Sequence, residues 1–258
     1  MKRILFAALV CALGVLALPG CRQRTDELNQ RPVDPALVAF LGRARAAHHR
    51  ADLLEDKLEL EPALAELRKV TEGPMVDRAA DFAEIREVLA DTRARMADLE
   101  SRLGRYDAAE RDIAQGLELA TEVTYFRGHL FEVRGLVEER RSHALGQRAR
   151  ALLETADPYV PKGSPEAQRR DELVRKLAPS RDASAPKPQE EEERSLQAAQ
   201  QELDGIHRAA LKPEEQRVLD DFRASEQAAR QRALEAFEQS MTLQAEVIRA
   251  RTEPAGDR

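Results

Sequence analysis

The sequence has 258 residues, 34% of them charged and 4% aromatic, with no Trp and a formal net charge of −6. That acidic balance lacks the basic stripe of a nucleic-acid binder and the polybasic segment that docks on anionic lipid. Two cysteines, Cys11 and Cys21, are too few for a disulfide framework, and a chain dominated by Ala, Leu, Glu and Arg points to long helices rather than sheet.

The chain opens Met1-Lys2-Arg3 and runs into an apolar stretch, Ile4 to Leu18. This is shorter than the roughly 20 residues a membrane-spanning helix needs. A basic start, a short apolar core and small residues at the exit describe an export signal. The stretch ends Leu18-Pro19-Gly20-Cys21, which resembles the lipobox of bacterial lipoproteins. The resemblance implies a diacylglycerol on the Cys21 sulfur, cleavage between Gly20 and Cys21, and acylation of the new amino group. Two or more acyl chains anchor stably where one does not. Arg22 stands where the enterobacterial sorting rule places Asp for retention in the inner membrane. The expected location is therefore the cell envelope, lipid-anchored, on the periplasmic side of the outer membrane. Lys2 and Arg3 leave with residues 1–20, so the mature chain carries 39 basic against 47 acidic residues, a net −8.

Residues 21–34 read as a polar, lipidated tether, and residues 35–158 as a helical domain. Leu37, Phe40, Leu41, Ala44, Ala47, Leu54 and Leu58 lie at helical spacing, with the polar "HHR" at 48–50 as an interruption. Pro62 opens a short second helix with Leu64, Leu67 and Val70 inward, and "TEGP" at 71–74 ends it. Phe82, Ile85, Leu89, Thr92, Met96, Leu99 and Leu103 alternate by three and four residues, the spacing of a heptad seam. Gly104 breaks that run, and Tyr106, Ala109, Ile113 and Leu117 then share a face. A third seam runs through Val123, Phe126, Leu130, Val133 and Val137. The prolines of "ADPYVPKGSP" close the block. A short helix is expected within 159–178. Residues 179–193, rich in Pro, Ser and Ala and then acidic, hold too little apolar surface to fold and read as a disordered linker. Residues 194–258 carry a helical pair, about 194–211 and 214–251, and a tail.

"LGRYDAAERDIAQGLELA", Leu103 to Ala120, resembles the second half of a tetratricopeptide repeat. Gly104 permits the tight turn, Tyr106 fills the space between the two helices, and Ala109 and Gly116 let them approach on either side of Ile113. Ala97 supplies the small residue of the preceding helix, so the match covers residues 90–121. A weaker echo at 124–158 has Ala144, Ala151 and Pro158 but no Gly-x-aromatic turn. "LEPALAELRKV" echoes it upstream, but its Ala63 stands 46 residues before Ala109, against a repeat period of 34. The resemblance implies an all-α, tetratricopeptide-like array of helical hairpins. The heptad spacing of 82–103 equally describes an irregular bundle of long helices, and both architectures bury one stripe per helix.

Chemistry-bearing patterns are sparse. His48, His49, Asp52 and Glu55 could together face a metal, but adjacent histidines diverge on a helix and no HExxH or CxxC spacing occurs. His129, His143 and His207 are scattered. No GxSxG, P-loop or GxGxxG stretch is present, so no cofactor, no metal and no enzymatic activity are expected. Gly128 and Gly135 share a face and read as close packing inside a hairpin, and "EEEE" at 190–193 as a solvated cap. The expected function is a membrane-anchored scaffold or assembly factor that binds another envelope protein through a helical groove, with the lipid anchor raising local concentration. The alternative is a coiled-coil spacer that self-associates through its C-terminal helix.

Overall fold

A computed structural model describes residues 34–75, 82–156, 159–178 and 190–252. The export signal, Gly20 and Cys21, the tether up to Val33, residues 179–189 of the expected linker and the tail from Glu253 lie outside them. The described residues form eight helices and no strand: α1 Pro35–Glu55, α2 Leu60–Thr71, α3 Ala83–Arg102, α4 Tyr106–Leu119, α5 Tyr125–Thr155, α6 Pro165–Leu177, α7 Glu190–Ala210 and α8 Pro213–Thr252. The helices form an array of antiparallel hairpins.

The first hairpin is α1 and α2. The Asp34 carboxylate caps α1 by accepting from the Ala36 N–H at 2.8 Å, and Pro35 occupies the first turn, where its missing N–H costs nothing. The polar "HHR" at 48–50 interrupts the apolar stripe and not the helix. His48 turns inward to Thr92 while His49 and Arg50 face solvent, so the helix runs through. Leu58, with φ 63°, makes the turn into α2. In the second hairpin Gly104, with φ 76°, makes the same turn from α3 into α4.

These hairpins are one unit repeated at a spacing of 46 residues. The offset pairs Ala44 with Ala90, Ala51 with Ala97, Leu58 with Gly104, Leu60 with Tyr106, Ala63 with Ala109, and Leu67 with Ile113. All six alanines are buried. The 46-residue offset between Ala63 and Ala109 is thus the spacing of two hairpins built on the same pattern of buried alanines.

Helix α3 is covered on two sides. Met96 and Leu99 pack with Ala51, Leu64 and Leu67 of the first hairpin. Ala90, Ala94 and Ala97 pack with Ala109, Ile113, Leu130 and Val133 of α4 and α5. The heptad positions are thus one face of a helix sandwiched in an array. Thr92, the polar member of that run, donates its hydroxyl to the Val88 carbonyl at 2.7 Å and stays buried.

The echo at 124–158 is not a hairpin. Residues 125–155 form a single 31-residue helix, α5, in which Ala151 is exposed and Ala144 half-buried, and Val123 precedes it, exposed. Its partner is α8, the last of the described helices. A Cβ on Gly135 would meet the Phe237 ring at 2.5 Å, Gly128 lies against Ser240, Leu243 and Gln244, and Gly146 against the Glu226 carboxylate. Ala149 and Leu153 close the far end against Leu219. Small residues on both helices, with Ala229, Ala233, Ala236 and Ser240 buried on α8, allow the backbones to approach closely.

Three buried carboxylates fix which helices meet. Glu100 of α3 accepts from Arg68 of α2 at 2.8 Å, Asp112 of α4 from Arg93 of α3 at 2.6 Å, and Glu138 of α5 from Arg232 of α8 at 2.8 Å. A slipped register would strand a buried charge, at a cost of about 3–5 kcal/mol.

Between α5 and α8 the chain makes an excursion, the hairpin α6–α7. Ser164 caps α6 by accepting from the Ala167 N–H at 3.1 Å. Leu173, Ala199 and Leu203 form its small core, and the Arg169 fork grips Glu202 at 2.6 and 2.8 Å. The run Glu190 to Glu193 is the first turn of α7 rather than part of a disordered segment. Its carboxylates sit at the positive end of the helix dipole. Asp204–Arg223 at 3.1 Å and Arg208–Asp220 at 2.8 Å tie α7 to α8.

Candidate binding groove

The residues singled out around the repeat turn do come together. Gly104 bends the chain, and Ala109 and Ile113 are buried in the α3–α4–α5 core. Tyr106 donates its hydroxyl to the Arg140 carbonyl at 3.3 Å, with the Arg141 guanidinium 5.9 Å from its ring centroid. A Cβ on Gly116 would stand 2.6 Å from Leu130. These five residues hold helices together, and none of them lines the groove described next. Gly20 and Cys21 lie outside the described residues.

The groove, about 760 Å³, lies across α1, α3 and α5, the first helices of the three hairpins. Its apolar surface is Leu41, Val88 and Phe126, one from each helix and all half-buried. Gly42 opens it, since a Cβ there would meet nothing within 4 Å. The polar wall is Arg45, His48, His49, Asp52 and Asp91. Phe126 is held edge-on by Tyr125 at 5.7 Å, and Tyr125 stacks on His129 at 6.0 Å.

His48 has a defined role in that wall. Because the Thr92 hydroxyl hydrogen goes to Val88, the 2.8 Å contact with His48 is Nε2–H donating to Thr92 Oγ1. Nδ1 then faces the Asp91 carboxylate at 3.9 Å. Burial and the neighbouring Arg95 push the imidazole pKa down, against the opposing pull of Asp91 and Asp52. Arg95 takes the two carboxylate candidates, Asp52 at 2.7 Å and Glu55 at 2.8 Å. Among the described residues no group of three His, Cys, Asp or Glu is arranged to hold a metal ion.

Sequence reasoning took Leu41 and Phe126 as core positions and did not single out Gly42 or Val88. Periodicity marks a stripe as apolar. It carries no signal for where the neighbouring helix stops covering that stripe. Gly128 and Gly135, expected to pack inside a hairpin, do meet a helix of the same chain, though a distant one.

No described helix is long and apolar enough to cross a membrane. No family model, curated protein or solved structure matches the chain.

Proposed function

We propose that the protein is a lipid-anchored scaffold of the bacterial cell envelope that holds a segment of another envelope protein in the α1–α3–α5 groove. The observation that carries this reading is the groove itself: three half-buried apolar side chains from three successive hairpins, opened by a glycine and bordered by Arg45, His and Asp. An apolar floor with a polar wall suits an amphipathic segment. The LPGC stretch supports tethering at Cys21, which would raise the concentration of the bound partner at the membrane.

Affinity capture from detergent-solubilised envelopes tests the reading, comparing the wild-type chain with Cys21→Ser and Gly42→Leu. Gly42→Leu fills the groove and replaces a poor helix former with a good one, so the fold is retained. A partner kept by Cys21→Ser and lost by Gly42→Leu supports the scaffold, and a partner indifferent to Gly42→Leu removes the groove from the mechanism. The intact mass of the purified chain tests the anchor separately, because acylation adds a defined mass to a chain starting at Cys21.

One observation favours the second reading, self-association. Leu234, Met241 and Ile248 are seven residues apart on α8 and 54%, 63% and 62% exposed. A dimer in sedimentation that Met241→Glu dissolves would promote that reading over the groove.

A further inference from the structure

A second cavity, about 940 Å³, lies on another part of the array, between α4, α5 and α8. Five arginines line it: Arg105 and Arg111 from the start of α4, Arg141 and Arg148 from α5, and Arg232 from α8. Asp107 is the one acidic residue in the lining. In an acidic chain this is a local inversion of charge.

The arginines differ in how they are held. Arg232 and Arg141 rest on the buried Glu138 at 2.8 and 3.5 Å, and Arg141 also reaches Asp107 at 2.6 Å. Arg105 is occupied by Glu61 and Glu100. Arg111 and Arg148 are exposed, and among the described residues they make no hydrogen bond or ion pair. Between the charges the surface is apolar, from Ala108, Ala144, Leu145 and Ala228.

We infer that this cavity binds an acidic segment of a partner protein, one that alternates carboxylates with apolar side chains. Guanidinium groups pair with carboxylates in a two-pronged geometry, and Arg111 and Arg148 are free to do so. The alanine and leucine patches take the intervening apolar residues. A planar bilayer fits less well, because the charges come from three helices around a recess rather than from one face. This site is independent of the α1–α3–α5 groove, so either can fail without the other.

The test uses the full chain and a fluorescent probe peptide, Glu-Glu-Leu-Glu-Glu-Leu-Glu-Glu, followed by anisotropy. The expected result is binding that weakens with salt and falls about 10-fold or more in Arg111→Ser/Arg148→Ser. Since neither arginine side chain has a partner among the described residues, the double variant keeps the wild-type melting temperature. Gly42→Leu, which alters only the other groove, leaves peptide binding unchanged. No binding, or binding unaffected by the double variant, overturns the proposal. So does flotation on phosphatidylglycerol vesicles that needs the same arginines in the absence of peptide binding, which would reassign the cavity to lipid. Displacement of the peptide by inorganic phosphate at equal concentration would reduce the cavity to a simple anion site. An oligomer dissolved by replacing Glu190 to Glu193 with Gln would make a second copy of this chain the occupant, and overturns the proposal as well.

Discussion

Glu138 and Arg232 are 94 residues apart in sequence and 2.8 Å apart in space. Their contact joins α5 to α8 and completes the third hairpin. Arg232→Met leaves the buried Glu138 carboxylate with Arg141 alone, at 3.5 Å. The expected loss is about 2–3 kcal/mol, below the full cost of a stranded charge because Arg232 is itself part-exposed. Replacing both residues by Met should come within about 1 kcal/mol of wild type, since two apolar groups strand nothing. Urea unfolding of the single variants and the double variant measures this. A double variant as unstable as Arg232→Met would mean that the pair contributes packing and not charge pairing.

Leu58 and Gly104 occupy the same turn in the two repeats, both with positive φ, yet only one is glycine. Leu58 is 79% exposed, so its side chain contributes little burial. Leu58→Gly should stabilise the chain by about 0.5–1 kcal/mol, the relief of left-handed strain less the greater freedom of glycine in the unfolded chain. Gly104→Ala should destabilise by about 1 kcal/mol for the converse reason, since a Cβ there meets no atom within 4 Å. Thermal melts should therefore move in opposite directions.

Gly135 and Gly205 separate helix propensity from packing. Both are helical, and Ala in place of Gly gains up to about 1 kcal/mol in an open helix. Gly205 is open, so Gly205→Ala should raise the melting temperature. At Gly135 the new methyl meets the Phe237 ring at 2.5 Å, and overpacking of that kind costs about 1–3 kcal/mol. Gly135→Ala should come out destabilising. An increase in its stability would show that α8 can move away from α5 without loss.

His48 makes stability depend on pH. Its folded pKa lies below that of a solvated imidazole, chiefly through burial and secondarily through Arg95. The unfolded chain therefore takes up a proton first as the solution is acidified. The contribution of His48 is complete above about pH 6.5 and is lost as pH falls through the lower, folded pKa. His48→Gln keeps an N–H donor for Thr92 and does not titrate. Stability of this variant should fall less than that of wild type between neutral and mildly acidic pH, and parallel curves would remove His48 from the acid response.

The helices and their buried faces were legible because each apolar stripe has a 3.6-residue period. The partners were legible only where they are sequence neighbours. Gly104, Tyr106 and Ala109 announced the second hairpin through a turn that needs glycine. The first hairpin hid its equivalent turn behind Leu58 and a longer stretch before α3. The union of α5 with α8 left no local trace, since Gly128 and Gly135 declare that a helix comes close and nothing about which one. The arginine cavity is assembled from α4, α5 and α8, whose residues are contiguous only in space.

The distance along the chain between α5 and its partner has a cost in time. The face of α5 that carries Gly128, Gly135 and Ser142 leaves the ribosome about 94 residues before Arg232. At about 5–20 residues per second, that face waits roughly 5–20 s before α8 exists to cover it. Each of the first two hairpins is complete once its own short stretch of chain is available, while the third remains a half-built layer until α8 is available. Whatever handles the chain before that point meets the Gly128 and Gly135 face of α5 uncovered.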